Sequence, residues 1–202
     1  MNYGTSIHAL KQRAELQPGE TLLVMGAGGG LGLTAIHVGK AMGAKIIAAA
    51  STEEKLELCS QQGADSTDSQ KEFSNELKRL TEKKGVDVVF DPVGGAYSEP
   101  ALRAIAWKGR YLVIGFTSSI PSIPLNLALL KGCQIVGVFW GNFCMREPMV
   151  NAANFQELFG MFEAGKIKPF VVETFPLEKT ATAIEMLANR EALGKIAITI
   201  RD

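Results

Sequence analysis

The stretch Leu22-Leu23-Val24-Met25-Gly26-Ala27-Gly28-Gly29-Gly30-Leu31-Gly32 decides the fold. Four apolar residues without polar alternation read as a strand buried on both faces. A glycine-rich turn follows directly and opens a helix whose Leu31, Ala35, Val38 and Met42 share one face. Strand, glycine turn and helix in this order form the context that a dinucleotide fingerprint requires. Here Ala27-x-Gly29-x-x-Gly32 is a variant with alanine in first place. The chemistry needs a tight turn, backbone bare of Cβ beside a pyrophosphate, and close packing of helix on strand. The helix N-terminus adds free N–H groups and partial positive charge for the phosphates. A glycine-rich turn that holds no ligand is the plain structural alternative.

Outward from this stretch the alternation repeats. Ile46-Ile47-Ala48-Ala49, Val86-Asp87-Val88-Val89-Phe90 and Tyr111-Leu112-Val113-Ile114 read as further buried strands. Helical spacing lies between them: Phe73, Leu77 and Leu80 on one face, a segment around Leu56, and another from Ala101 to Trp107. Strands joined by crossovers of this length imply an α/β fold with a parallel, doubly wound (Rossmann) sheet. In front, Thr5 to Leu16 reads as a helix stopped by Pro18-Gly19. Behind, the sequence predicts a short helix at Leu125 to Leu130 and a strand from Ile135 to Phe139. A helix carries Phe155, Leu158, Phe159 and Phe162, and strands at Phe170-Val171-Val172 and Ile196 to Ile200 flank a helix with Leu177, Ala181, Ile184 and Leu187.

Composition narrows the function classes. Among 202 residues, 21 Lys plus Arg balance 21 Asp plus Glu, which removes the electrostatic case for nucleic acid or an anionic membrane as partner. No apolar run reaches the roughly 18 residues of a membrane span. Met1 to Leu10 lacks a basic region followed by an apolar stretch, so the expected compartment is the cytoplasm or the mitochondrial matrix. Cys59, Cys133 and Cys144 stand far apart, which argues against a disulfide framework and a cysteine-rich zinc site. Neither His8 nor His37 has a partner at metal-ligand spacing, so no metal is expected.

The end of the second strand discriminates between dinucleotides, because an acid there would hold the ribose hydroxyls of NAD. This strand ends Ala49-Ala50-Ser51, with Lys55 one turn along. A hydroxyl and a cation suit a 2′-phosphate, so NADP(H) is preferred over NAD(H); Glu53 or Glu54 is the acid in the other case. Ser51 also fits a capping box with Glu54. Asp91, before Pro92 at a strand end, lies on the ligand-binding edge, and an Asp-Pro turn explains it equally well. Phe139 and Trp140 suit either a nicotinamide wall or the core. The turn also fits a short-chain dehydrogenase, but Tyr3, Tyr97 and Tyr111 are followed four residues later by Ile7, Ala101 and Gly115, not by lysine.

Taken together these motifs resemble the medium-chain dehydrogenase/reductases, and within them the zinc-independent quinone oxidoreductases. The resemblance runs through Gly4-Thr5, Leu16 to Glu20, Gly26 to Gly32, Gly63-Ala64-Asp65, Gly85 to Gly95, Gly109-Arg110, Gly137 to Gly141 and Gly194-Lys195. It implies hydride transfer from NADPH to a quinone or to the β-carbon of an enone, with the nicotinamide supplying the hydride. It further implies that Gly29, Gly30 and Gly32 hold the pyrophosphate and that Ser51 and Lys55 hold the 2′-phosphate. Thr5 would lie near the nicotinamide side, Phe116 and Thr117 would sit beside the cofactor at the tip of their strand, the backbone around Phe139 and Trp140 would hold the carboxamide, and Arg190 and Lys195 would approach from the C-terminal segment. Where many relatives carry a tyrosine after Gly-Ala-Asp, this chain has Ser66-Thr67-Asp68-Ser69. The resemblance also implies a cofactor-binding domain at 1–165 and a segment 166–202 that returns toward a catalytic domain which this chain lacks. On that reading the isolated chain binds cofactor with little turnover; a stand-alone binding module or redox sensor is the alternative. Homodimers are expected through the uncharged strand near Ile135.

Overall fold

The chain folds around buried parallel strands, and the computed structural model describes residues 1–68, 73–189 and 191–200. β1 (Thr21–Met25), β2 (Lys45–Ala49), β3 (Ser66–Asp68), β4 (Val86–Asp91), β5 (Ile105–Val113) and β6 (Gln134–Gly137) form one sheet in the order β3-β2-β1-β4-β5-β6. Every pair in it is parallel. The order reverses between β1 and β4, and the strand ends there open a crevice suited to a ligand.

Alternation along the strands feeds two cores, one on each face. Leu22, Val24, Ile46, Ala48, Val88, Phe90 and Leu112 pack with Ala35, Ile36 and Val38 of α2 (Gly30–Ala41). Leu23, Met25, Ile47, Val89 and Tyr111 pack on the other face, with Leu77 of α4 (Phe73–Leu80) and Ala101 and Leu102 of α5 (Ser98–Arg103). α3 (Glu53–Gln61) links β2 to β3, and its Leu58 and Cys59 join the first of these cores.

α1 (Asn2–Ile7) begins three residues before the expected start, and its wider turns run on to Arg13. In those turns the Ala14 N–H donates to the Ala9 carbonyl, 2.8 Å away. Gln12 in those wider turns and Asn154 exchange side-chain hydrogen bonds of 2.8 and 3.0 Å, which fix the turns against α8 (Pro148–Glu163). Behind Pro18, the Arg110 guanidinium forks onto Glu20 and donates to the Ala14 carbonyl. Burial would raise the Glu20 carboxyl, but Arg110 and the Gln17 N–H hold it below the usual range.

Four expectations need correction. The helix predicted through Trp107 ends at Arg103, and Ile105 to Trp107 open β5, where Ile105 pairs with Val86 ahead of a register shift. β3 has no counterpart among the expected strands; its three residues pair with Ile47, Ala48 and Ala49. The strand from Ile135 to Phe139 stops at Gly137, and Trp140 starts α7 (Trp140–Arg146). Thr52, not Ser51, caps α3, its hydroxyl accepting from the Lys55 N–H at 3.3 Å. The short helix after Pro124 is α6 (Asn126–Lys131).

The C-terminal part makes its own two-stranded parallel sheet, β7 (Val171–Pro176) with β8 (Lys195–Thr199), crossed by α9 (Thr180–Ala188). It reaches the glycine turn through a bridge between Gly194 and Gly29.

Candidate functional site

The C-terminal ends of β2, β1, β4 and β5 enclose a cleft of about 630 Å³. Ala50, Ser51 and Lys55 form its β2 end, the Gly26 to Gly30 turn its floor, and Val93, Tyr97, Thr117 and Ser118 its far wall. Leu187, Ala188, Ala192 and Gly194 close it from the C-terminal part. Among these described lining residues Lys55 is the one charged side chain, and none is a carboxylate.

Each glycine of the turn has its own reason. Gly26 has a φ of +60°, and a Cβ there would fall 2.8 Å from Val93 Cγ2. At Gly32 a Cβ would lie 2.5 Å from both Ala27 Cα and the Gly26 carbonyl, so this glycine lets α2 sit on β1. Gly29 is different: its φ of −87° and ψ of 163° suit any residue, and a Cβ would meet only the Gly26 carbonyl at 3.4 Å. Bare backbone at Gly29 thus serves the open space of the cleft rather than the fold. With the α2 N-terminus beside it, the turn fits a pyrophosphate.

The far wall hangs on Asp91. Pro92 and Val93 carbonyls accept from the Thr117 and Ser118 N–H groups at 3.2 and 2.9 Å, and Gly95 N–H donates to the Ser119 carbonyl at 2.8 Å. Asp91 holds that loop from beneath, with Oδ1 accepting from the Val93 and Gly94 N–H groups.

Of the residues expected to bind cofactor, Gly29, Gly30, Ser51, Lys55 and Thr117 meet in this cleft, and Gly32 supports it from α2. Phe116 is half-exposed next to Thr117. Lys195 lies elsewhere, in a second hollow of about 320 Å³ that shares Gly30 with the cleft. Tyr3 and His37 line that hollow too, joined by a 2.7 Å hydrogen bond; burial pushes the Tyr3 hydroxyl up to about 12 and the His37 imidazole down. Thr5 and Trp140 line neither space. Thr5 donates to the Met1 carbonyl at 3.3 Å, and the Trp140 ring lies over Gly4, where a Cβ would come within 2.7 Å. The Trp140 Nε1–H donates to Asn151 Oδ1 at 3.1 Å, and Phe139 is exposed. Arg190 lies outside the described residues. Tyr97 and Ser118 are lining residues that sequence reasoning misses; the signal available is the Gly94-Gly95 turn after Asp91-Pro92 at a strand end.

Comparison with known proteins gives the same picture. Residues 30–157 match the zinc-binding dehydrogenase family. Quinone oxidoreductase-like protein 2 of Bos taurus is 37% identical over 205 residues, which cover all of this chain and 59% of that protein. An NAD-dependent alcohol dehydrogenase of Saccharolobus solfataricus is 35% identical, over 95% of this chain and 54% of its own length. A crystal structure of a probable oxidoreductase from Mycobacterium abscessus superposes with a TM-score of 0.88 at 30% identity, over 98% of this chain and 60% of the other. The chain therefore spans little more than half the length of the curated relatives it matches. Among the described residues no three His, Cys, Asp or Glu side chains gather at a point that would hold a metal ion. Its parallel sheet, its glycine turn and the match over residues 30–157 establish that the chain belongs to the zinc-binding dehydrogenase family, a branch of the medium-chain dehydrogenase/reductases.

Proposed function

We propose that the chain is the NADPH-binding part of an oxidoreductase whose acceptor is a quinone or an α,β-unsaturated carbonyl. The observation that carries this reading is the β2 end of the cleft, where Ser51 and Lys55 both line the space and none of the described lining residues is a carboxylate. A 2′-phosphate is favoured beside a lysine and repelled by an acid. The similarity to quinone oxidoreductase-like protein 2 supports the acceptor class.

In this reading Gly29, Gly30 and the N-terminus of α2 bind the pyrophosphate, and Gly32 keeps that helix close enough to do so. Thr117 and Ser118 orient the nicotinamide half, and the exposed Phe116 ring beside Thr117 offers the apolar surface that an acceptor would meet. When bound, the nicotinamide supplies the hydride, so the residues here bind and orient rather than form an acid-base pair.

The test is a chimera in which these 202 residues replace the matching 59% of the bovine relative. Loss of NADPH absorbance on adding phenanthrenequinone, above a heat-killed control, supports the reading. A chimera that binds NADPH and oxidises it with neither quinone nor enone contradicts the acceptor class. The isolated chain is expected to bind cofactor with negligible turnover.

A further inference from the structure

Asp91 is a carboxylate 3% exposed, deep at the end of β4, and four donors converge on it. Oδ1 accepts from the backbone N–H groups of Val93 at 2.8 Å and Gly94 at 2.9 Å. Oδ2 accepts from the Ser98 hydroxyl at 2.9 Å and from the Tyr111 hydroxyl. A buried carboxylate is tolerated only where its lone pairs are met in this way. An Asp-Pro turn would need the two backbone donors alone. Ser98 and Tyr111 come from α5 and β5, so the group joins three elements at the edge of the cleft.

What those donors hold is the far wall. The backbone from Pro92 to Gly95 is the partner of the strand-end loop: the Pro92 and Val93 carbonyls accept from Thr117 and Ser118, the Gly95 N–H donates to the Ser119 carbonyl, and Gly94 bridges to Ser119. Gly94 has a φ of +71°, and a Cβ there would fall 2.5 Å from the Ser119 carbonyl, so the two loops touch backbone to backbone. Val93 also presses on Gly26 from the same turn.

We infer that Asp91 is a positioning residue for the half of the cleft walled by Val93, Thr117 and Ser118, and that it sets affinity for the nicotinamide half of the cofactor while leaving the Ser51 and Lys55 half untouched. The inference rests on the NADPH reading above. It separates two ends of one ligand because Asp91 is bonded to the β4 and β5 side only.

The experiment is calorimetry of Asp91→Asn and wild type with two probes, NADPH and adenosine 2′,5′-bisphosphate, which carries the 2′-phosphate half alone. The carboxamide of this variant cannot accept from Ser98 and Tyr111 as the carboxylate does, since its nitrogen is a donor. NADPH affinity is expected to fall roughly tenfold or more, while the bisphosphate binds within about a factor of two of wild type. Adding Tyr111→Phe, which removes a hydroxyl left without its acceptor, should recover part of the loss, a non-additivity that a general loosening would not give. If Asp91→Asn does not fold, Tyr111→Phe and Ser98→Ala each remove one donor and should show the same split. Equal loss for both probes, or unchanged NADPH affinity, overturns the inference. Failure of wild type to bind either probe overturns the NADPH reading and the inference with it.

Discussion

The stem of Lys55 lies against Gly28: a Cβ on that glycine would fall 2.7 Å from Lys55 Cβ and 2.8 Å from its Cγ. The glycine turn and the first turn of α3 are thereby pressed together, which places a lysine at the rim where a 2′-phosphate would sit. Lys55→Glu should lower NADPH affinity by more than about tenfold and leave NADH equal or tighter, because like charges face each other only when the phosphate is present. Titration of both cofactors against the variant checks this, and an unchanged NADPH affinity would remove Lys55 from the site.

Gly29 and Gly32 should separate ligand binding from folding. Gly29→Val has an allowed backbone, and its Cβ would meet only the Gly26 carbonyl at 3.4 Å, so its melting temperature should stay near that of wild type while cofactor binding disappears. Gly32→Ala drives a Cβ into the Ala27 backbone and should cost about 1 to 3 kcal/mol of stability. Thermal melts beside calorimetry distinguish the two; a Gly29→Val protein that still binds cofactor would show that the turn does not touch it.

Much of this is legible in the sequence because apolar runs and glycines announce themselves. β1, β2 and β4 are short runs too apolar for a surface position, and the turn between β1 and α2 needs glycine for reasons of space. β3 is invisible there, since Ser66-Thr67-Asp68 carries no hydrophobic pattern and becomes a strand only by pairing with β2. Ile105-Ala106-Trp107 continues a helix-like apolar stretch, and pairing with Val86 decides against the helix. Ser51 and Thr117 are readable as residues just past strand ends and Lys55 as the first helical turn after one, whereas Tyr97 reaches the cleft only through the short turn Gly95–Tyr97 that leads into α5. Asp91 is visible at its edge, but its partners Ser98 and Tyr111 belong to elements that only the fold brings together.

Stability should fall on mild acidification. His8 and His37 are both shifted down, chiefly by burial, so the unfolded chain binds protons more readily than the folded one. With folded values below the unfolded value of about 6.5, their contribution is complete above that pH and is lost as the pH drops through it. Melting temperature should therefore decline from about pH 7.5 to about pH 5.5, and His37→Gln should flatten the decline. A wild-type profile level over that interval would contradict the account.

Self-association is proposed through β6, an outer strand of the sheet with no charged residue. Its Ile135 is 38% exposed, while Arg13 Nε donates to the Gly137 carbonyl at 3.0 Å and covers that end of the strand. Ile135→Lys should split a two-fold pairing without loss of fold. Val138, 8% exposed, is unsuited to this test, since a lysine there would enter the core. Light scattering that reports a monomer for the unmodified chain at micromolar concentration would reject the pairing.

The cleft between Ser51, Lys55 and Thr117 is proposed to take a dinucleotide bearing a 2′-phosphate. Isothermal titration of the unmodified chain with NADPH and with NADH, in the same buffer and at the same salt, tests it most directly. The account predicts binding of both at one site per chain, with NADPH tighter by about tenfold or more. Equal affinities, or tighter binding of NADH, would contradict it.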